Sequence, residues 1–334
     1  MPKANSVAAA TAENKKNSSS IARQKFFAFS SLILMMIVFS VASPNFFQAD
    51  NLIAIMLATA VTGVLAIGVS FVIITGGIDL STGTLMTFCS VMAAQTIVVW
   101  HLPLVVGLLV AILTGMLFGF ISGSLVAKAK LPPFIATLGV NMLTKGLSLI
   151  VAQSKPIYFS DYPAFSQISM GTMFGFVKDF QVPNAVVIFF LVAIAGSIVL
   201  NKTSFGRYTF AIGSNEEAVR LSGVNADRWK IGNYVLCGAI CGIAGILIAS
   251  RLNSAQPALG QGYETDAIAA CVIGGTSLSG GEGTILGTVI GAFIISVLTN
   301  GLRILNVPQE WQIVTTGIII IFAVYLDTLR RKKK

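Results

Sequence analysis

Residues 80–127 read LSTGTLMTFCSVMAAQTIVVWHLPLVVGLLVAILTGMLFGFISGSLVA, 48 positions between Asp79 and Lys128 without one Asp, Glu, Lys or Arg. A bilayer crossing takes about 20 apolar residues. The stretch is therefore two crossings, and Trp100-His101-Leu102-Pro103 is the turn between them. Other charge-free intervals have the length of one crossing: 28 residues between Asp50 and Asp79, 22 between Asp179 and Lys202, and 20 between Lys230 and Arg251.

Composition agrees. The 334 residues are 55% hydrophobic and 10% charged, with a mean hydropathy of +0.84. A soluble domain carries about a quarter charged residues, so most of this surface must face lipid. The 32 glycines fit, because Gly is more frequent in membrane helices than in soluble ones. Crossings are expected at 26–43, 53–75, 80–99, 104–127, 133–153, 184–201, 231–250, 264–280, 283–301 and 310–327. The fifth contains Lys145, and the eighth has only 15 uncharged residues between Asp266 and Glu282.

Orientation follows from Lys and Arg in short loops. Lys3, Lys15, Lys16, Arg23 and Lys25 precede the first crossing, and Lys128 and Lys130 follow the fourth. Lys202, Arg207, Arg220, Arg228 and Lys230 follow the sixth, and Arg330 to Lys334 end the chain. Only Lys155, Lys178, Arg251 and Arg303 fall on the other side. The expected fold is thus an all-α integral membrane protein of about ten transmembrane helices, both termini cytoplasmic, with two weakly repeated halves. Residues 1–25 read as a disordered tail, 26–328 as the membrane body and 329–334 as a basic tail, with a polar cytoplasmic loop at 202–230 and an external loop at 154–183. The first apolar stretch is expected to be retained, being long for a signal-peptide core and lacking a convincing cleavage site. No basic stretch interleaves with aromatics, so the net charge of +9 reflects topology rather than nucleic-acid binding. Cys89, Cys237, Cys241 and Cys271 all fall inside crossings and read as packing residues rather than metal ligands, since the only histidine, His101, is in an external turn.

The two halves echo each other. Residues 76–83 read Gly-Gly-Ile-Asp-Leu-Ser-Thr-Gly, and residues 274–281 read Gly-Gly-Thr-Ser-Leu-Ser-Gly-Gly. Each follows a β-branched apolar run and precedes another crossing. Glycine-interrupted segments in corresponding positions point to a transporter's substrate path, which makes Gly76, Gly77, Asp79, Ser81, Gly274, Gly275, Thr276 and Ser279 candidate path or gate residues. The plain alternative is two tight turns, with Asp79 and Ser277 capping the helices that follow. Placed near the cytoplasmic ends, the pair suits a parallel repeat or gate elements; an inverted repeat would need a different crossing count.

In the loop at 202–230, Ser214 and Glu217 have capping-box spacing, and Gly223 is placed to stop a two-turn helix carrying Ala218 and Leu221, and Val219 beside them. Glu217-Ala218-Val219 followed by Gly223 resembles the Glu-Ala-Ala-x-x-x-Gly signature of ABC importer permeases, with Val219 in place of the second Ala. Ser43-Pro44-Asn45-Phe46-Phe47, Gly76 to Ser81, Phe134-Ile135-Ala136-Thr137-Leu138, Ser254-Ala255-Gln256-Pro257, Asp266 to Ala270 and Gly274 to Gly281 resemble the ribose/xylose/galactose-type monosaccharide permeases over about 26–328.

The resemblance implies two permease copies or homologues, a cytoplasmic ATPase that binds ATP and Mg, and a periplasmic sugar-binding protein, in a bacterial inner membrane. It implies that Ser214, Glu216, Glu217, Ala218, Arg220, Leu221 and Gly223 form the ATPase-coupling segment. The substrate it suggests first is ribose; other aldopentoses, galactose and allose stay open. This chain has no Gly-x-x-x-x-Gly-Lys-Ser/Thr phosphate loop, so it is expected to be a transport subunit, not an enzyme, with no cofactor of its own. Tyr158, Phe159, Tyr162, Phe165 and Phe174 in the external loop are expected either as exposed aromatics, with Tyr158, Tyr162 and Phe165 as a docking surface for the binding protein, or as part of a loop folded back as an interfacial belt. The competing class is an ion-coupled transporter using Asp79 and Lys145.

Overall fold

The computed structural model describes residues 28–177 and 180–331. The tail expected over 1–25, Lys178, the side chain of Phe174 and the closing lysines lie outside what is described. Of the described residues, 76% are helical. In order, the helices are α1 (Ala28–Ala42), α2 (Ala49–Ile74), α3 (Thr82–Ala94, prolonged by a π-turn over Gln95–Val99), α4 (Leu104–Ala127) and α5 (Pro133–Val151). There follow α6 (Pro163–Met170), α7 (Asn184–Lys202), α8 (Ser204–Ser214), α9 (Glu216–Leu221), α10 (Ala226–Leu252), α11 (Tyr263–Ile273), α12 (Ile285–Ile304) and α13 (Gln309–Arg331). Two small antiparallel pairs complete it: β1 (Ile157–Tyr158) with β4 (Ser254–Ala255), and β2 (Thr172–Val177) with β3 (Phe180–Pro183).

Among the described residues, seven helices are long and apolar enough to cross a membrane: α2, α3 with its π-turn, α4, α5, α7, α10 and α12. The protein is an all-α, multi-pass membrane protein. The crossing expected at 264–280 is not one continuous helix. Its helix, α11, has 11 residues and rises about 16 Å, half of a hydrocarbon core, because the glycines at 274–275 end it. The loop expected at 202–230 is also mostly helix, as α8 and α9.

α10 is the central element, packed against α2, α3 and α4. Its seam with α4 is built from small residues. A Cβ added at Gly115 would lie 2.0 Å from the Gly238 carbonyl oxygen, and one at Gly119 would lie 2.3 Å from that of Tyr234. In lipid no hydrophobic force drives helices together, so such close backbone approach supplies the packing. The opposite face of α4 exposes Leu109, Leu113, Leu117 and Phe120, as a lipid-facing surface should.

Candidate functional site

The interrupted segments lie inside the bundle. Thr84 pairs with Thr144 through their hydroxyls at 2.8 Å, and Asn141 Nδ2 donates to the Leu80 carbonyl at 2.6 Å. α3 therefore starts beside the ninth to twelfth residues of α5, set back by roughly 12 Å from where α5 begins. Backbone groups freed there have no lipid partner, so protein must supply one. Tyr234 Oη (3.2 Å) and Thr137 Oγ1 (3.4 Å) donate to the Ile78 carbonyl, and Asp79 Oδ1 accepts the Ser81 amide (2.9 Å) and hydroxyl (2.6 Å). Asp79 and Ser81 are buried, Gly77 is buried with its Cα against the Tyr234 hydroxyl, and Gly76 takes φ +78°.

The second segment, 274–284, satisfies itself. Ser277 N–H donates to the Glu282 carbonyl at 3.0 Å and Gly280 N–H to that of Ser277 at 3.0 Å. Gly274 abuts the Gly287 carbonyl of α12, Gly275 takes φ +95°, Thr276 is buried with its hydroxyl unpartnered, and Ser279 is exposed. α12 is capped by Thr284, whose Oγ1 accepts the Gly287 amide at 3.1 Å. Neither Asp79 nor Ser277 caps a following helix as the plain-turn alternative required. The two echoing segments touch: Gly281 N–H donates to the Ile74 carbonyl at 2.9 Å.

On the polar side, the expected short helix exists with a different cap. Asn215 Oδ1 accepts the Ala218 amide at 2.9 Å, while Ser214 closes α8 and donates back to Phe210. The Ser214–Glu217 capping box is thus corrected: α8 runs through Ser214, and the extended residue between the helices is Asn215. Gly223 stops the helix at φ +83°. Val219 is the buried face, packed with Ile212 and Ala226, whereas Glu217, Ala218 and Leu221 point outward, Leu221 at 83% exposure. The residue that departs from the family signature is the one anchoring α9 to the body.

A charge network reinforces that anchor. Arg220 bridges Glu216 (2.7 Å) and Asp227, Lys130 of the α4–α5 turn reaches Asp227 (2.9 Å), and Lys230 pairs with Glu216. The Arg220 hydrogen bond holds the Asp227 carboxyl down at about 2, against the opposing effect of burial and with help from Lys130. Burial alone would raise Glu216, but hydrogen bonds and charge from Lys230 and Arg220 outweigh it and lower its pKa.

In the loop at 154–183, Tyr158 is exposed at 61%, and half-buried Tyr162 places its hydroxyl 3.3 Å from His101 Nδ1. Phe159 and Phe165 are fully buried and stacked at 3.7 Å, so the expectation of exposure is corrected for these two: they form the loop's own small core. Asp79 and Lys145 do not meet. Lys145 reaches Gln261 Oε1 at 3.3 Å, and among the described residues neither forms an ion pair.

Sequence reasoning overlooked Asn141, Thr137 and Tyr234, the side chains that hold the first interruption. The signal for Asn141 was present, a lone amide in an otherwise apolar stretch.

Interrupted helices in a lipid-facing bundle, joined to an anchored polar helix with an outward apolar tip, define a membrane transport subunit. The chain belongs to the family described as branched-chain amino acid transport system / permease component, whose model matches residues 51–324. It is 39% identical to the ribose import permease protein of Escherichia coli (strain K12), over 90% of this chain and 92% of that one. It is 34% identical to the xylose transport system permease protein of Haemophilus influenzae, over 94% and 98%. With the fructose import permease protein of Rhizobium meliloti it shares 36% identity, over 90% and 84%. No solved structure matches the chain.

Proposed function

We propose that this chain is the membrane-spanning subunit of a binding-protein-dependent, ATP-driven importer that moves a monosaccharide into the cytoplasm of a bacterium, with ribose the first substrate to test. The observation that carries this reading is α9: six residues fixed from below by Val219, with Glu217, Ala218 and Leu221 free to meet a partner. Full-length relatives named for ribose, xylose and fructose support the sugar. ATP and Mg would be bound by the partner ATPase, two permease copies or homologues would form the pathway, and Tyr158 and Tyr162 would face a periplasmic binding protein. About ten crossings with both termini cytoplasmic remain the topology proposed. The ion-coupled alternative loses its physical basis with Asp79 and Lys145 apart.

The test is co-purification with the candidate ATPase, followed by ATP hydrolysis and uptake assays with binding protein and a panel of ribose, xylose, fructose and galactose. Stimulation by one loaded binding protein identifies the substrate. An assembled chain that associates with no ATPase, or that takes up sugar without one, ends this reading.

A further inference from the structure

The last turn of α8 carries a residue without a side chain, Gly213, and that residue is wedged against both interrupted segments. A Cβ added at Gly213 would lie 1.8 Å from the Ile74 carbonyl oxygen and 2.5 Å from the Gly281 amide nitrogen. One added at Gly280 would lie 2.8 Å from the Gly76 nitrogen and 2.9 Å from the Gly213 oxygen. Gly281 N–H donates to the Ile74 carbonyl at 2.9 Å, and the Ser214 hydroxyl lies against Gly281. Three stretches far apart in sequence thus meet backbone to backbone at one point. A contact between two long side chains can take up displacement by changing rotamer. A close-packed contact between backbones has no such slack and transmits strain.

The other end of this chain of contacts is α9. Ile212, the neighbour of Gly213, packs with Val219 of α9 and Ala226 of α10, and the Arg220–Asp227 pair ties α9 to α10. Displacement of α9 is therefore carried to Ile212 and one residue further to Gly213. Beyond Gly213 lie the ends of α2 and of the loop between α11 and α12, where helical hydrogen bonding is already broken. Such discontinuities are where a packed bundle can switch between two arrangements.

We propose that the Gly213–Gly281–Ile74 contact is the relay through which movement of α9 shifts the two interrupted segments, making Gly213 and Gly281 positioning residues for transport. The inference rests on the importer reading above, and α9 is moved in it by the partner ATPase. Coupling through a contact must be shown by perturbing it, not by proximity.

The experiment uses the reconstituted complex of this chain with its ATPase and binding protein, comparing Gly213→Ala with Gly139→Ala. A Cβ at Gly139 meets nothing within 4 Å, so that variant controls for adding a methyl group to a helix. Gly213→Ala is expected to assemble and keep basal ATP hydrolysis. It should lose binding-protein stimulation and uptake by roughly tenfold or more, the scale of an ordinary coupling free energy. Gly139→Ala should behave as the unaltered chain. Normal uptake by Gly213→Ala overturns the relay while leaving the importer reading intact, whereas an unaltered chain that binds no ATPase removes the reading itself. Should Gly213→Ala fail to assemble, hydrogen exchange of the unaltered complex decides. Trapping with ATP and vanadate should change protection at 211–215, 74–77 and 279–282 together; a change confined to 211–215 overturns the proposal.

Discussion

Truncating Val219 to Ala tests what holds the partner-facing helix in place. α9 has six residues, too few to stay helical by themselves, so its docking and its folding are one equilibrium. Val219 is 8% exposed and packs with Ile212 and Ala226. Removing its two γ-carbons forfeits about 0.8 kcal/mol each, or about 1.6 kcal/mol, which shifts docking about fifteenfold. The ion pairs are the rival explanation. Lys230–Glu216, which joins α10 to α9, has side chains 18% and 33% exposed, and a pair open to water contributes about 0.5 kcal/mol, roughly a twofold shift. Val219→Ala should therefore accelerate amide exchange at 218–222 about fifteenfold in nanodiscs, and Lys230→Met only about twofold. Equal effects, or a larger one for Lys230→Met, would refute the view that apolar burial rather than charge secures α9.

Leu221→Asp should leave the fold and the exchange pattern unchanged, because the side chain touches only solvent, yet reduce ATPase association in a pull-down by roughly tenfold. Retained association would show that the docking face is elsewhere. Asn141→Leu strands the Leu80 carbonyl inside the bundle, at a cost of about 1–3 kcal/mol, and should lower the thermal midpoint in detergent. An unchanged midpoint would mean that water replaces the amide. Asp227 titrates at about 2 in place against an ordinary 3.8, so its stabilisation of the α9–α10 junction is complete above the ordinary value and lost as pH falls toward 2. Exchange at 218–222, corrected for its intrinsic pH dependence, should thus be flat from about pH 5 to about pH 8. A step within that window would point to another titrating group.

Charge-free runs marked most helices within a few residues, because excluding charge from hydrocarbon is a strong and local constraint. α4 was expected at 104–127 and occupies Leu104–Ala127; α10 was expected at 231–250 and extends to Ala226–Leu252. What hydropathy could not report is the path of the backbone. Residues 267–281 carry no charge, yet the helix that enters them ends at Ile273. Capping was legible in kind but not in register, since Asn215 and Ser214 can both cap and only packing chooses between them. Among the loop aromatics, nothing in sequence separates Tyr158, which is exposed, from Phe159, which stacks on Phe165. The glycine echo was visible; that its two copies touch through Ile74 and Gly281 was not.

That echo is unequal in a way that assigns the halves different roles. The first break is held by side chains of three neighbouring positions, Thr137, Asn141 and Tyr234, on α5 and α10. The second is closed mostly by its own turns, with Gly281 N–H reaching the Ile74 carbonyl beside the first. A segment secured from several elements opens only with the bundle, whereas one closed on itself can shift at the cost of a bond or two. The loop over 274–284 should therefore move further than 75–81 when both are shifted. Amide exchange should show it directly, with 280–282 exchanging well ahead of 77–81 in the isolated chain. Equal protection of the two segments would mean that they move as one body, and the asymmetry would carry no mechanistic weight.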